Sequence, residues 1–268
     1  MSDAVFAGTV PELYDRLLGP MIFAPYAAEM AALVVRRAPR RILEVAAGTG
    51  VVTRELARTL PADVSIVATD LNQPMLDRAI ADGIARPVEW QRADAMRLPF
   101  DDGAFDVVVC QFGAMFFPDK SAAFAEVRRV LRPGGTFALS VWDRIEENDF
   151  AATVTSALAQ RFLHDPPRFL ARTPHGYHDV VRLRRDLAAA GFTARADVRA
   201  VTHRSPASSA RIAAVAYCEG TPLRDEIEER ASGGLAEATA LAADALRRQF
   251  GDGAIDGRIQ AHVATVER

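Results

Sequence analysis

"ILEVAAGTG", residues 42–50, is the stretch on which the reading of this chain turns. An apolar run carrying one acid, Glu44, meets a turn of small residues that closes on Gly48 and Gly50. A strand, a tight turn and a following helix form the junction at which an open parallel sheet admits a nucleotide, because ligands sit beyond the carboxyl ends of its strands. Small residues in that turn let the backbone approach a ligand closely.

Working outward, strand and helix patterns alternate with short connections. "VVTRELARTL" (51–60) has helical spacing, "VSIVATD" (64–70) reads as a second strand, and "QPMLDRAIADG" (73–83) as its helix, with Pro74 in the first turn and Gly83 as the stop. "PVEWQRAD" (87–94) is the third strand and "FDVVVCQF" (105–112) the fourth, apolar throughout as befits a strand covered on both faces. "KSAAFAEVRRVL" (120–131) is helical, and "PGG" turns the chain into a fifth strand, "TFALSVW" (136–142). The fold class is α/β, a doubly wound and mostly parallel sheet. Beyond Asp143 come a helix ("FAATVTSALAQRFL"), a Pro/His-rich loop, a helix at 180–192 that Asp179 can cap, a strand at 196–203, helical segments over 206–250 broken at Pro222 and Gly233–Gly234, and a last strand at 259–267. The expected organisation is a helical lid over 1–40, a cofactor-binding half over 41–143, a lid insert over 144–178, a core helix and strand over 179–204, a second helical insert over 205–256 and a closing strand over 257–268.

Composition narrows the function classes. A net charge of −3 over 268 residues gives no general field for nucleic acid, and the local clusters Arg36/Arg37/Arg40/Arg41 and Arg182/Arg184/Arg185 read as solvated helix faces. Two cysteines, Cys110 and Cys218, build no disulfide framework and lack metal-type spacing; no metal site is expected. No secretory leader is evident, and no apolar stretch approaches the roughly 20 residues that cross a bilayer. The expectation is a soluble cytoplasmic protein with no membrane and no nucleic-acid partner.

Acids at the ends of three successive strands suggest which nucleotide binds. Asp70 stands where a carboxylate accepts hydrogen bonds from ribose hydroxyls, and Asp94 where one accepts from an adenine amine. A dinucleotide fingerprint would need a third glycine beside the pyrophosphate, whereas "AAGTGVVT" has Val51 and Val52. Glu44, just before the turn, would repel pyrophosphate but suits an ammonium group. These residues fit an adenosine joined to an amino acid, S-adenosylmethionine, better than a nicotinamide dinucleotide. A nicotinamide-dependent oxidoreductase is the lesser alternative.

The motifs "LEVAAGTG", "ATDLNQPML", "RADAMRLPFDDGAFDVVVCQF" and "LRPGGTFALSVW" together resemble, in order and spacing, a class I S-adenosylmethionine-dependent methyltransferase of the ubiquinone/menaquinone-biosynthesis C-methyltransferase subgroup. The resemblance covers about residues 40–142. It implies that Glu44 and the backbone of Ala46, Gly48 and Gly50 hold the methionine portion. Asp70 would hold the ribose, with Leu71 and Met75 flanking the adenosine. Asp94 and the Ala95 amide would read the adenine, and Gln111 would line the methionine end. Ala46 and Ala47 stand where many relatives have glycine or cysteine, and ordinary backbone dihedrals are expected for both. "PELYDRLLGPMIFAPYA" resembles the subgroup's N-terminal lid, with Tyr14 able to close over the cofactor. The helical residues between the last two strands replace a usual short turn and are assigned to a substrate roof.

Methyl transfer from a sulfonium needs positioning and exclusion of water more than a strong catalytic group. An acceptor that must lose a proton also needs a base. His175, in the irregular part of "RTPHGYHD", is the candidate base, with His178 read as a helix-entry residue and His164 and His203 as structural. Phe112, Met115, Phe116 and Phe117 follow the fourth strand, where the resemblance places an apolar or aromatic small-molecule acceptor. An S-adenosylmethionine-binding protein without transferase activity is the alternative within the same fold. The acceptor atom and the oligomeric state are left open.

Overall fold

The apolar runs lie side by side in the computed structural model, which describes residues 6, 8–231 and 233–268. β1 (Arg41–Val45), β2 (Ser65–Asp70), β3 (Glu89–Arg92), β4 (Phe105–Gln111) and β5 (Leu131–Trp142) pair in parallel. With β6 (Asp197–Ala207) and β7 (Ile255–Glu267) they form one seven-stranded sheet of order β3-β2-β1-β4-β5-β7-β6. β7 alone runs against its neighbours, pairing antiparallel with both β5 and β6. The strand order reverses between β1 and β4, and the crevice for a ligand opens beyond their carboxyl ends.

Both faces of the sheet are covered. The N-terminal segment is α1 (Val10–Leu13), a π-helical stretch (Tyr14–Phe23) and α2 (Ala24–Val35), followed after β1 by α3 (Val51–Thr59) and after β2 by α4 (Gln73–Ala81). Met30 and Val34 of α2 and Val52 and Leu56 of α3 pack on Ile42, Ile66 and Val107. On the opposite face α5 (Lys120–Val130) and α8 (Val180–Ala189) set Phe124, Val127, Leu183 and Leu187 against Leu43, Val108 and Phe137. Asp119 and Asp179 cap α5 and α8 by accepting the Ala122 and Val181 amides. The remaining helices are α6 (Asp149–Arg161), α7 (Phe169–Arg172), α9 (Ala210–Glu219), α10 (Leu223–Arg230) and α11 (Leu235–Phe250), with α11 packed on α6 and α9 and Arg172 of α7 bordering the crevice.

Several boundaries differ from the sequence reading. β3 keeps only Glu89–Arg92 of the expected 87–94. β5 starts at Leu131, before the Pro-Gly-Gly turn, with a register irregularity against β4 between Phe105 and Val107. β6 runs past His203 through Pro206, which an edge strand tolerates because one side of its ladder has no neighbour. β7 begins at Ile255 rather than 259, since the matching residues of the longer β6 give it partners.

Within the helical lid expected over 1–40, the chain forms one helical run from Val10 to Val35. Pro20 and Pro25 supply no amide hydrogen to an α-helical ladder, and the Ala24 amide reaches back to the Gly19 carbonyl in an i→i+5 bond. With the wider winding, nine residues make about two turns, so Tyr14 and Phe23 fall on one side; at 3.6 residues per turn they would oppose each other. Their rings stack 4.8 Å apart. By length and composition this run could cross a membrane, which corrects the expectation that no stretch comes close. Within the fold, however, 56% of its most apolar window is buried, and its Asp15 is locked between Arg54 (2.9 Å) and Arg78 (3.3 Å).

Ala46, expected in an ordinary conformation, has φ +56°. Ala46 lies between Val45, the last residue paired with β2, and the Ala47 amide, which donates to the Thr69 carbonyl (2.9 Å), so the left-handed residue begins the turn while β2 still holds the chain. A Cβ at Gly113 would lie 2.4 Å from the Ala46 Cβ, so the turn is accommodated by a glycine on the loop after β4. An alanine in this region costs about 1 kcal/mol.

Two stability predictions follow from these local constraints. Ala46→Gly removes the left-handed penalty and should raise unfolding free energy by about 0.5–1 kcal/mol, read as a higher urea midpoint at unchanged slope. Gly257→Ala should lower it by about 1–3 kcal/mol, because its Cβ would sit 2.8 Å from the buried Phe150 ring.

Candidate functional site

Glu44 is the penultimate residue of β1, and its side chain is buried beneath the glycine turn. Thr53, in the first turn-and-a-half of α3, donates to its Oε2 at 2.6 Å. Burial pushes the carboxyl up to about 8; the Thr53 hydrogen bond opposes this, the neighbouring Asp70 charge adds to it, and Arg54 opposes it. Glu44 has no ion-pair partner among the described residues.

Asp70 closes β2 and is likewise buried. Its Oδ2 accepts the Gly48 amide (2.8 Å), and its Oδ1 accepts the Asn72 amide (2.8 Å). Burial raises its pKa, partly offset by those amides. Asp94 is exposed beyond the end of β3, where its Oδ1 accepts the Met96 amide at 2.9 Å. At the end of β4, Gln111 donates from Nε2 to the Phe23 carbonyl (3.1 Å), while its Oε1 is buried without a partner among the described residues.

These groups border one cavity of about 740 Å³. Tyr14, Glu44, Ala46, Gly48, Asp70, Leu71, Met75, Asp94, Ala95 and Gln111 all line it. Leu71 is half-exposed at the mouth, whereas Met75 is buried beside the turn. Gly50 does not border the cavity. It caps α3 at φ +80°, and a Cβ there would lie 3.0 Å from the Trp90 ring and 3.2 Å from the Ala79 Cβ, so its glycine serves packing behind the turn. The aromatic roof is formed by Tyr14, Phe23 and Phe116, joined by Phe6 from outside the recognised motifs. Burial, and then Asp70, push the Tyr14 phenol well above its usual range.

Sequence reading missed Asn72, Phe6 and Thr173 on the cavity wall. Asn72 had a signal: it follows Asp70 by two residues, the spacing at which an aspartate accepts a backbone amide. Phe6 and Thr173 come from lid segments, where only the folded chain shows which side chains face inward.

Behind the roof lies a smaller chamber of about 50 Å³, sharing Tyr14, Phe23, Phe112, Met115 and Phe116 with the main cavity. His175 borders this chamber and not the main cavity. It is buried, with Nδ1 2.7 Å from the Asp143 carbonyl, and burial pushes its pKa down to about 4. Trp142 stacks on Phe112 at 3.8 Å and stands 6.1 Å from the His175 ring. His178 precedes α8, its Nδ1 on the His175 carbonyl (2.7 Å); His164 is exposed, and His203 packs edge-on to Tyr26. Cys110 and Cys218 are both buried free thiols, pushed up to about 12 by burial. Among the described residues no cluster of three or more His, Cys, Asp or Glu is gathered for a metal.

Comparison with known proteins gives the family and the fold. Residues 43–139 match the family described as a methyltransferase domain. The chain is 37% identical over 139 residues to the demethylmenaquinone methyltransferase of Deinococcus radiodurans, covering 50% of this chain and 57% of that protein. It is 34% identical over 168 residues to a ubiquinone/menaquinone biosynthesis C-methyltransferase of Cupriavidus taiwanensis, covering 58% and 68%. Among solved structures, the YcgJ protein of Bacillus subtilis aligns with TM-score 0.56 at 20% identity, covering 91% of this chain and 98% of that one. The cyclase SpnF aligns with TM-score 0.57 at 20% identity, covering 97% and 93%. The structural likenesses establish the Rossmann-like fold, and the sequence relatives establish the lineage. The chain belongs to the class I S-adenosylmethionine-dependent methyltransferases, of the type represented by the ubiquinone/menaquinone biosynthesis C-methyltransferases.

Proposed function

We propose that this enzyme methylates an apolar, ring-bearing small molecule in the cytoplasm, with S-adenosylmethionine in the main cavity and the acceptor reaching it from the aromatic chamber. The observation that carries the reading is the pairing of two unlike spaces across one shared wall: an acid-floored cavity and an aromatic chamber. The relatives' names, which mention demethylmenaquinone and ubiquinone/menaquinone biosynthesis, support an acceptor of apolar cyclic character.

The residues present suit the cofactor. Glu44 without a cationic partner and Gln111 Oε1 without a donor are two buried acceptors at the end of the first and fourth strands, and an amino-acid ammonium would satisfy both. When bound, the cofactor supplies a methyl group activated by its sulfonium. Asp70 would orient the ribose, its carboxylate already fixed by two amides; Asp94 and the Ala95 amide would hold the adenine at the open end, with Leu71 and Met75 flanking it. Ala46 and Gly48 keep the turn thin enough for close approach. Tyr14 and Phe23, carried by the N-terminal lid, exclude water from the reacting end. The helical inserts between the core strands complete the acceptor's roof.

The direct test is calorimetric titration with S-adenosylmethionine and S-adenosylhomocysteine, then incubation with methyl-labelled cofactor and a cell extract. Micromolar binding and a labelled apolar product are expected; label confined to polar or macromolecular products would reject this acceptor class. The raised pKa of Glu44 makes a second prediction. Below about pH 8 its carboxyl holds a proton that must leave before it can pair with an ammonium. S-adenosylhomocysteine should therefore bind more tightly as pH rises towards 8, releasing protons measurable as different heats in buffers of different ionisation enthalpy. Glu44→Gln should abolish that release and weaken binding by roughly tenfold to a hundredfold.

A further inference from the structure

We infer that His175 Nε2 accepts a hydrogen bond from, and then the proton of, a hydroxyl carried by the methyl acceptor, which makes the acceptor a hydroxylated ring compound. The inference rests on the reading of the inner chamber as the acceptor's seat.

Most polar groups on the chamber wall are already engaged. Asn148 donates to the carbonyls of Asp143, Arg144 and Gln260, and its Oδ1 accepts the Gln260 amide. Thr221 donates to the Tyr217 carbonyl and accepts the Leu223 amide. His175 is different. A carbonyl can only accept, so the 2.7 Å contact with Asp143 places the ring hydrogen on Nδ1 and leaves the Nε2 lone pair open. Among the described residues Nε2 has no hydrogen-bond partner, nor do the Tyr14 and Tyr217 hydroxyls on the same wall. An apolar chamber presenting one imine acceptor and two phenols calls for a ring with oxygen substituents.

The tautomer is held from behind. The Asp143 carboxylate is occupied by the Gln260 amide (2.7 Å), the Arg144 amide (2.7 Å) and His262 (3.2 Å), so its backbone carbonyl is fixed toward His175. Asp143 and Glu146 favour a charged ring and His178 disfavours it, but burial dominates and keeps the imidazole neutral. A weak base is sufficient here. As the hydroxyl oxygen's electron pair forms the bond to the methyl carbon, the carbon–sulfur bond breaks with its pair on sulfur and the hydroxyl proton passes to Nε2. An oxygen bearing both groups is far more acidic than any imidazolium. One positive charge moves from sulfonium to imidazolium, so the closed site never gains net charge.

The test compares 2-naphthol with naphthalene, binding each to the S-adenosylhomocysteine complex of the wild type, His175→Phe and His175→Gln, by ligand fluorescence. The wild type should prefer the naphthol about tenfold. His175→Phe should lose that preference while still binding naphthalene and S-adenosylhomocysteine; His175→Gln, whose amide oxygen can accept but not take a proton, should keep it. With methyl-labelled cofactor, the wild type should methylate bound 2-naphthol at least tenfold faster than His175→Gln. A preference surviving in His175→Phe, equal binding of both probes by the wild type, or wild-type transfer no faster than His175→Gln would each overturn the role of His175 alone. Failure of the wild type to bind either probe would overturn the chamber as acceptor seat, and this inference with it.

Discussion

Asp70 ends β2 with one carboxylate oxygen 2.8 Å from the Gly48 amide and the other 2.8 Å from the Asn72 amide, so the turns after β1 and β2 close on the same side chain. That clamp fixes the floor of the cavity before any ligand arrives. It also holds a second acid in place, because the turn it braces lies over the buried Glu44. Burial, and then the nearby Asp70 charge, raise the Glu44 pKa, while burial raises that of Asp70; a cation would favour the charged forms. A phosphate at the same turn would add a third negative group. These local electrostatics disfavour a phosphate beside the turn and would favour a cationic group there.

The floor would be open to solvent without the N-terminal helix. Asp15 anchors that helix by meeting Arg54 from α3 and Arg78 from α4, and Arg54 also donates to the Thr49 carbonyl in the glycine turn. A buried carboxylate shared by two guanidiniums is costly to desolvate and more costly to break, so it sets the helix's position more than it adds stability. The π-helical winding then turns Tyr14 and Phe23 to the same side, over the cavity. Anchor and winding act together: one sets where the helix lies, the other which rings face down.

What was legible in the sequence was whatever local chemistry dictates. The strand-to-helix alternation through Trp142 and the acids at strand ends could be read because apolar runs and turn residues lie next to one another in the chain. Ala46 could not be read that way, since its left-handed backbone answers to Thr69 and Gly113, which are distant in sequence. Gly50 looked like part of a ligand turn, yet the residues that need its missing side chain are Trp90 and Ala79. The extension of β6 through Pro206 depends on its place at the sheet edge, which no local pattern encodes. His175 illustrates the limit best: its loop composition suggests a surface, while Trp142 and the Asp143 carbonyl make it a buried wall of the chamber.

The two cavities also divide the constraints on this chain. The floor is built from strand ends and backbone amides, where a shifted side chain would disturb a ladder or a turn. The chamber is built largely from aromatic side chains on a loop, a lid helix and inserts between core strands. At about 50 Å³ it is too small for a ring compound as it stands. On the proposed reading, admission of an acceptor would require movement among the residues that border both spaces, Phe6, Tyr14, Phe23, Phe112, Met115 and Phe116. Rings that would seal the cofactor's reacting end on that reading would also have to open for the acceptor. A site arranged in this way can change its acceptor by altering the roof while leaving the electrostatics of the floor intact.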